Sequence, residues 1–340
     1  MPSISYLVKR VRNMSFQSMM ERIDLVKNKT KKPKWLIFFD MVWCGFRYGA
    51  GYVDYDVIGF YKLNSKQRKT MLTRGINNKF VKMLNEKEYW YIFDCKNEFN
   101  QTFSKFVTRG WIYPISEKKE DTLNWLEKHE TFFAKPNAGQ CGKGIEKIKL
   151  ADWKKDEKTL EALYQYLLKN KLELLEEPIL QHEKMNQLNA SSVNTIRMVT
   201  VMNSKKEVTI LTAFARIGNG KHVDNFNSGG MTAKVDVETG RILEEAVNKK
   251  GELFEKHPLT GTIIKDFQIP CFEEAKNMVK EAAKLSEHVR YIGWDVAITT
   301  NGPTLVEGNQ FPGHDIYQVA EKMEEGQLGV LPEFEKAIGI

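Results

Sequence analysis

The chain is short of the residues that would make it a metal-stapled or disulfide-stapled protein. Its four cysteines, Cys44, Cys95, Cys141 and Cys271, share no CxxC or CxH spacing, and its six histidines never fall as HExxH. Structural zinc and a disulfide framework are therefore not expected, and a reducing cytoplasm is the compartment implied. Long apolar runs are missing too: WLIFFDMVWCGF at 35–46 is interrupted by Asp40 and falls well below the roughly 20 residues of a spanning helix. No secretory signal is visible, because the first apolar stretch lacks a small-residue cleavage site at the expected distance. No repeat and no low-complexity tract is found, so the 340 residues are expected to fold around a sizeable core.

A uniform excess of one charge is also absent. The net charge is +7, yet residues 1–34 alone carry nine Lys/Arg against Glu21 and Asp24, and the rest of the chain is balanced. The excess marks a basic N-terminal arm rather than a nucleic-acid-binding protein. Arm and aromatic run together suit either peripheral contact with the inner face of an anionic membrane or a helical lobe packed on the main domain.

Residues 1–94 read as that basic, mainly helical lobe, with no strand, glycine loop, helix order in it. From 95 the texture becomes α+β. Helices are expected at 97–110, 121–130, 156–170 and 271–289, and strands at TFFAK, LELLEEPILQH, NTIRMVTVMN, EVTILTAFARIG, TAKVDVET, YIGWDVAIT and PTLVEGNQ. Frequent hairpins favour antiparallel sheets over a doubly wound parallel sheet. Two lobes are expected, 95–180 smaller and 181–340 larger.

Between strands lies FFAKPNAGQCGKGI, residues 132–145. A Walker loop fails at Asn137 and at Gly144 after Lys143, and GxGxxG fails on spacing. Gly139, Gly142 and Gly144 still let backbone N–H groups converge on an anion, so the loop is either a phosphate cradle or a plain flexible turn. Near the C-terminus, Glu307 and Asn309 share a strand face, and Asp295 lies twelve residues before Glu307. A two-residue Asn-Gly turn would set Asp295 opposite Gly308; a three-residue loop would set it opposite Glu307. Three oxygen donors on one face suit a hard cation such as Mg²⁺, with a solvent-facing polar edge as the alternative.

Taken jointly, the loop after Lys135 and the Asp295, Glu307, Asn309 hairpin resemble the ATP-grasp superfamily. SSVNTIRMVTV, VDNFNSGG and YIGWDVAITTNGPTLVEGN narrow the resemblance to the sugar-transfer-associated ATP-grasp proteins, over roughly 95–315. The resemblance implies an α+β ATP-grasp fold in which two lobes with antiparallel sheets clamp ATP, with Mg²⁺ or Mn²⁺ on Asp295, Glu307 and Asn309. It places Lys96 and Lys135 on the phosphates and Gly139, Gly142 and Gly144 in the lid. Glu176, Glu177 and Ile179 would meet the adenine edge through backbone and side chain, Glu183 the ribose, and Lys234 the γ-phosphate. Arg197 would face the transferring phosphoryl group. Asn194, Asn225, Asn227, Ser228, Gly229 and His314 would shape the acceptor pocket, and His182 is a further candidate for substrate contact.

The implied activity is an ADP-producing carboxylate-amine ligase in polysaccharide or capsule biosynthesis, joining an amino acid to a sugar acid through an acylphosphate. Alternatives are a kinase acting on a hydroxyl and a nucleotide-binding scaffold for glycosyltransferases. Both expected substrates are small molecules.

Overall fold

The structure, a computed structural model, describes residues 15–139, 144–155, 159–220, 229–314, 317–318 and 326–340. It divides into two compact units. One joins the chain up to Glu86 with Asn203–Lys205 and Phe311–Ile340, and the other holds Lys87–Met202 and Lys206–Gln310. The helical lobe expected to end at 94 thus ends at Glu86, and residues 311–340 join it rather than the larger lobe. The reason is packing between segments far apart in sequence. Phe334 stacks on Phe80 with ring centroids 6.0 Å apart. The Gln318 carboxamide accepts from the Leu72 N–H at 3.1 Å and donates to the Leu72 carbonyl at 3.1 Å.

In the helical unit, Phe16–Thr30 begins at Ser15, whose hydroxyl accepts from the Ser18 N–H, and ends at Lys31 in the left-handed region. Pro33 precedes the next helix, Lys34–Tyr48, and Gly49 at φ 67° ends it. That helix buries Ile37, Met41 and Cys44, spaced three and four apart, against Met19, Ile23 and Val26. Arg68 clamps Asp40 through two contacts of 2.7 Å, and Tyr55 donates to the same carboxylate at 2.7 Å.

The other unit carries two antiparallel sheets. The smaller has β1 (Trp111–Ile112), β2 (Thr131–Lys135), β3 (Glu146–Lys149) and β4 (Leu174–Glu176), in the order β1-β4-β2-β3. The larger has β5 (Thr195–Met202), β6 (Val208–Ile217), β7 (Met231–Val235), β8 (Ala246–Asn248), β9 (Leu253–Phe254), β10 (Tyr291–Thr299) and β11 (Gly302–Asn309), in the order β11-β10-β5-β6-β7-β8-β9. The expected strand at 172–182 shrinks to three residues, because Pro178 can donate no ladder hydrogen bond and the chain leaves the sheet. The expected helix at 97–110 stops at Thr102, and a short 3₁₀ turn follows.

The larger sheet is anchored by Trp294, whose indole N–H donates to the Thr200 hydroxyl at 2.8 Å. Phe93, Phe99 and Phe103 surround its ring. Each such buried ring contributes on the order of 2–3 kcal/mol from apolar burial. The helix Phe272–Lys284 covers the same face with Ala275, Val279 and Ala282.

Candidate active site

The hairpin β10–β11 settles the register question by a third route. Its loop is two residues, Thr300 and Asn301, with Thr299 paired to Gly302, which would set Asp295 opposite Val306. A bulge between Asp295 and Val296 absorbs Val306, so that Asp295 pairs with Glu307 and Gly293 with Asn309. Gly302 at φ 106° supplies the left-handed residue the tight turn requires. Asp295 also lies opposite Arg197 on β5, Arg197 opposite Phe214 on β6, and Phe214 opposite Lys234 on β7. Glu307, Asp295, Arg197, Phe214 and Lys234 thus form one cross-strand row on one face, because directly opposed residues share a face. Arg216 and Asn309 stand on that face two residues from Phe214 and Glu307.

Charges in this row are tightly matched. Arg197 donates to Asp295 through Nε at 2.5 Å and Nη2 at 2.9 Å, and Arg216 donates through Nη1 at 2.6 Å. Burial raises the Asp295 carboxyl, but Arg197 and then Arg216 outweigh it and hold it well below the usual carboxylate range. Glu307 is displaced the other way, to about 7, by its crowded surroundings and by the Asp295 carboxylate beside it. Its side chain keeps solvent contact, so the neighbouring charge is the stronger cause. Gly308, between Glu307 and Asn309, fits only without a side chain. A Cβ there would stand 2.8 Å from Phe93 Cδ1 and from Phe99 Cε2.

A second charged cluster sits at the end of β2, where the chain enters the glycine loop. Glu176 on β4 is buried, and its carboxylate accepts from Arg109 at 2.7 Å, from Asn100 at 2.9 Å and from the Lys135 ammonium. Burial raises this carboxyl, while Arg109 and Lys135 together hold it far below its ordinary value. Arg109 goes on to donate to the Leu305 carbonyl at 2.6 Å and to that of the bulged Val306 at 3.2 Å. One guanidinium therefore ties the strand behind Lys135 to the bulge that presents Glu307. Lys96 opens its helix beside the loop and donates through Nζ to the carbonyls of Pro136 at 2.9 Å and Gly139 at 3.1 Å. Its pKa is lowered, first by burial and then by Lys135, against the opposing pull of Glu307 and Glu176.

The structure accordingly brings Lys96, Lys135, Gly139, Glu176, Arg197, Asp295 and Glu307 together, with Asn309 and Lys234 on the same sheet face. Gly139 at φ 126° and Gly144 at φ 74° both hold conformations that favour glycine. Gly142 lies outside the described residues, as do Asn225, Asn227 and Ser228; Gly229, at φ 99°, is described alone.

Several expected roles change. The Glu176 side chain is consumed by its three partners and offers nothing to a base edge. Glu177 is likewise occupied: one oxygen accepts from the Gly110 N–H at 2.7 Å, the other meets His129 Nε2 at 2.9 Å, and its own N–H donates to Gly110. Ile179, half-buried just beyond β4, keeps its place at the strand exit. Asn194 is no pocket residue. Its amide donates to Gln181, to Met185 O at 3.0 Å and to Asn189 O at 2.8 Å, and its Oδ1 accepts from the Gly218 N–H at 3.1 Å. His182 caps the helix Glu183–Leu188 by accepting from the Lys184 N–H at 3.0 Å, and Glu183 is exposed in its first turn. His314 belongs to the helical unit, buried against Asp54 at 2.9 Å.

Two functional candidates escaped the sequence. Arg216 was findable, because FARIG places an arginine inside an apolar strand just as NTIRM does for Arg197. Arg109 sits in an irregular VTRGW turn, whose local pattern carries no such signal. Among the described residues no group of three or more His, Cys, Asp or Glu side chains is placed to hold a metal; the hairpin set has two carboxylates and one amide.

A model of the family described as sugar-transfer associated ATP-grasp matches residues 75–336. No curated protein matches the chain by sequence. Among solved structures, the chain is similar to an ADP complex of N5-carboxyaminoimidazole ribonucleotide synthetase, at 11% identity and TM-score 0.43, over 73% of this chain and 52% of that one. It is similar to the D-alanine-D-alanine ligase from Coxiella burnetii at 11% identity and TM-score 0.38, covering 73% and 57%. A third similarity is to the biotin carboxylase domain of Hydrogenobacter thermophilus 2-oxoglutarate carboxylase, at 12% identity and TM-score 0.45, covering 78% and 51%. The chain spans between 51% and 57% of the length of these three structures.

Proposed function

The chain belongs to the sugar-transfer associated ATP-grasp family, and on that premise we propose that it is an ATP-dependent carboxylate-amine ligase of cell-surface polysaccharide biosynthesis. Its fold is the ATP-grasp fold, two α+β lobes with antiparallel sheets after a largely helical region. The observation that carries the proposal is the row Glu307, Asp295, Arg197, joined through Arg109 and Glu176 to Lys135 at the entry to the glycine loop.

Magnesium fits this donor set. A carboxylate offers about four lone-pair sites; Asp295 uses three on the two arginines, one on Oδ1 and two on Oδ2. Its remaining site, Glu307 and Asn309 are hard oxygen donors, and the Asp295 charge that raises the Glu307 carboxyl is what a divalent cation would offset. Asp295, Glu307 and Asn309 would hold the ion, whose contribution when bound would be charge neutralisation at the phosphates.

The residues divide the remaining work. Lys135 and Lys96, with the N–H groups of Gly139 and Gly144, hold the phosphates; Lys96 exchanges the Pro136 and Gly139 carbonyls for phosphate oxygens. Arg197, gripped by Asp295 along one edge, keeps its Nη1 edge for the oxygens of the transferring phosphoryl group. Lys234 and Arg216 extend the positive face towards the acceptor. The adenine edge is met by backbone at Pro178 and Ile179, since the Glu176 and Glu177 side chains are occupied. A substrate carboxylate attacks the γ-phosphorus, ADP leaves, and an amine displaces phosphate from the acylphosphate to form the amide. Positioning and charge stabilisation suffice for these steps, and no enzyme nucleophile is needed.

The test is an ADP-release screen of amino acids paired with uronic-acid sugars or nucleotide sugars, with product masses read out. ADP and a product lighter by one water than the two substrates together support the ligase. ADP released with a hydroxyl compound alone makes the protein a kinase.

A further inference from the structure

The helix Lys34–Tyr48 turns a second apolar face away from its unit. At about 100° per residue, Trp35, Leu36, Phe39, Trp43 and Phe46 fall within an arc of about 100°, opposite the buried Ile37, Met41 and Cys44. All five are exposed: Trp35 63%, Phe39 63%, Trp43 58%, Phe46 50% and Leu36 43%. Single exposed apolar residues are ordinary, but five on one helix face, four of them aromatic, form a patch that marks a docking surface.

The charge around the patch selects the partner. Lys31, Lys32 and Lys34 stand exposed at its leading end and Arg47 at its trailing end. From residue 15 to Glu86 there are fourteen Lys/Arg against six Asp/Glu. Four of those six acids are already engaged inside the unit: Asp24 by Lys34, Asp40 by Arg68, Asp54 by His314, and Asp56 by Arg22 and Lys29, so Lys31, Lys32 and Arg47 carry the charge beside the patch. The rim is therefore positive around an aromatic centre. Tryptophan and phenylalanine partition to the boundary of headgroups and acyl chains, and lysines beside them are drawn to anionic lipid. No described helix is long and apolar enough to cross a membrane. A 15-residue helix with one apolar face left free is suited to lie in the plane of the interface instead.

We propose that the Trp35, Leu36, Phe39, Trp43, Phe46 face is a peripheral membrane-docking surface for an anionic phospholipid bilayer. The surface belongs to the helical unit and is independent of the ligase reading.

The test is co-sedimentation of the full chain with vesicles of phosphatidylcholine alone and of phosphatidylcholine with phosphatidylglycerol, with brominated lipid as a quencher of tryptophan fluorescence. The wild-type chain is expected to partition onto the anionic vesicles with quenching, and much less onto the neutral ones. Phe39→Ser/Trp43→Ser is expected to lower the partition by about tenfold or more. Lys31→Glu/Arg47→Glu should lower it by a similar factor at low salt and little at high salt. The charge variant removes no buried side chain, so it decides the matter if the aromatic variant fails to fold. ADP affinity in vesicle-free buffer should be unchanged in both variants, which separates this surface from the nucleotide site. Wild type remaining in the supernatant with anionic vesicles, or variants that partition as well as it does, would overturn the proposal. So would light scattering that finds a dimer dissolved by Phe39→Ser/Trp43→Ser without vesicle binding, since the face would then join two copies of the chain.

Discussion

Asp295 faces Glu307 across the β10–β11 hairpin only because Val306 is bulged out of the ladder, and Arg109 holds the bulge by donating to the Val306 carbonyl from its buried ion pair with Glu176. Two carboxylates are thereby pressed together with two arginines on one side, an arrangement that is poor for a resting protein and good for a cation.

The first consequence concerns pH. Glu307 is raised to about 7, so between the ordinary carboxyl range and about 7 the folded protein binds a proton that the unfolded chain does not. Without metal, stability should fall as pH rises through that window, and this slope should be missing in Glu307→Gln. Magnesium requires the carboxylate, so its apparent affinity should climb over the same window and level off above it. Thermal melts across pH with and without Mg²⁺, on both proteins, check the two signs.

Arg109 and Lys135 should separate stability from binding. Arg109→Ala leaves Glu176 short of its strongest partner and the Leu305 and Val306 carbonyls unpaired, so a loss of about 3–5 kcal/mol is expected. Lys135→Ala leaves Arg109 in place on Glu176 and should destabilise less, while weakening ADP by about ten- to a hundredfold. Denaturant melts beside ADP titrations distinguish the two.

Asn194→Ala is expected to cost about 1–3 kcal/mol of stability, because the Gly218 N–H and two carbonyls lose a buried partner. ADP affinity should not change. A selective rise in the KM of a substrate at unchanged stability would return Asn194 to the acceptor pocket.

Gly308→Ala should be the most damaging small substitution in the hairpin. The added methyl meets Phe93 and Phe99 at 2.8 Å, and overpacking of this kind costs about 1–3 kcal/mol. Because Glu307 and Asn309 flank it, magnesium dependence should weaken together with the melting temperature.

How much of this was legible in the sequence depended on range. TFFAK appears as a strand at its expected bounds, since local alternation sets it. That Glu307 and Asn309 share a face followed from strand period, but whether Asp295 joins them turned on the loop, and the Thr300-Asn301 turn and the bulge at Val306 were hidden, because an extra residue in one strand leaves no mark on hydrophobic alternation. The side-chain partners of Glu176 and Asn194 were not legible for a common reason: composition cannot tell a polar side chain aimed at a ligand from one aimed at buried backbone or at a partner such as Arg109, 67 residues from Glu176. The return of residues 311–340 to the helical unit rests on contacts such as Gln318 with Leu72, 246 residues apart, which no local pattern encodes.

The central claim, that Glu307 and its neighbours form a metal-dependent nucleotide site, is tested most directly by calorimetric titration of ADP with and without magnesium. One ADP per chain, tightened by magnesium by about tenfold or more, with the tightening lost in Glu307→Ala while metal-free binding persists, is the result predicted. Equal ADP affinity with and without magnesium, or tightening that survives Glu307→Ala, would contradict it.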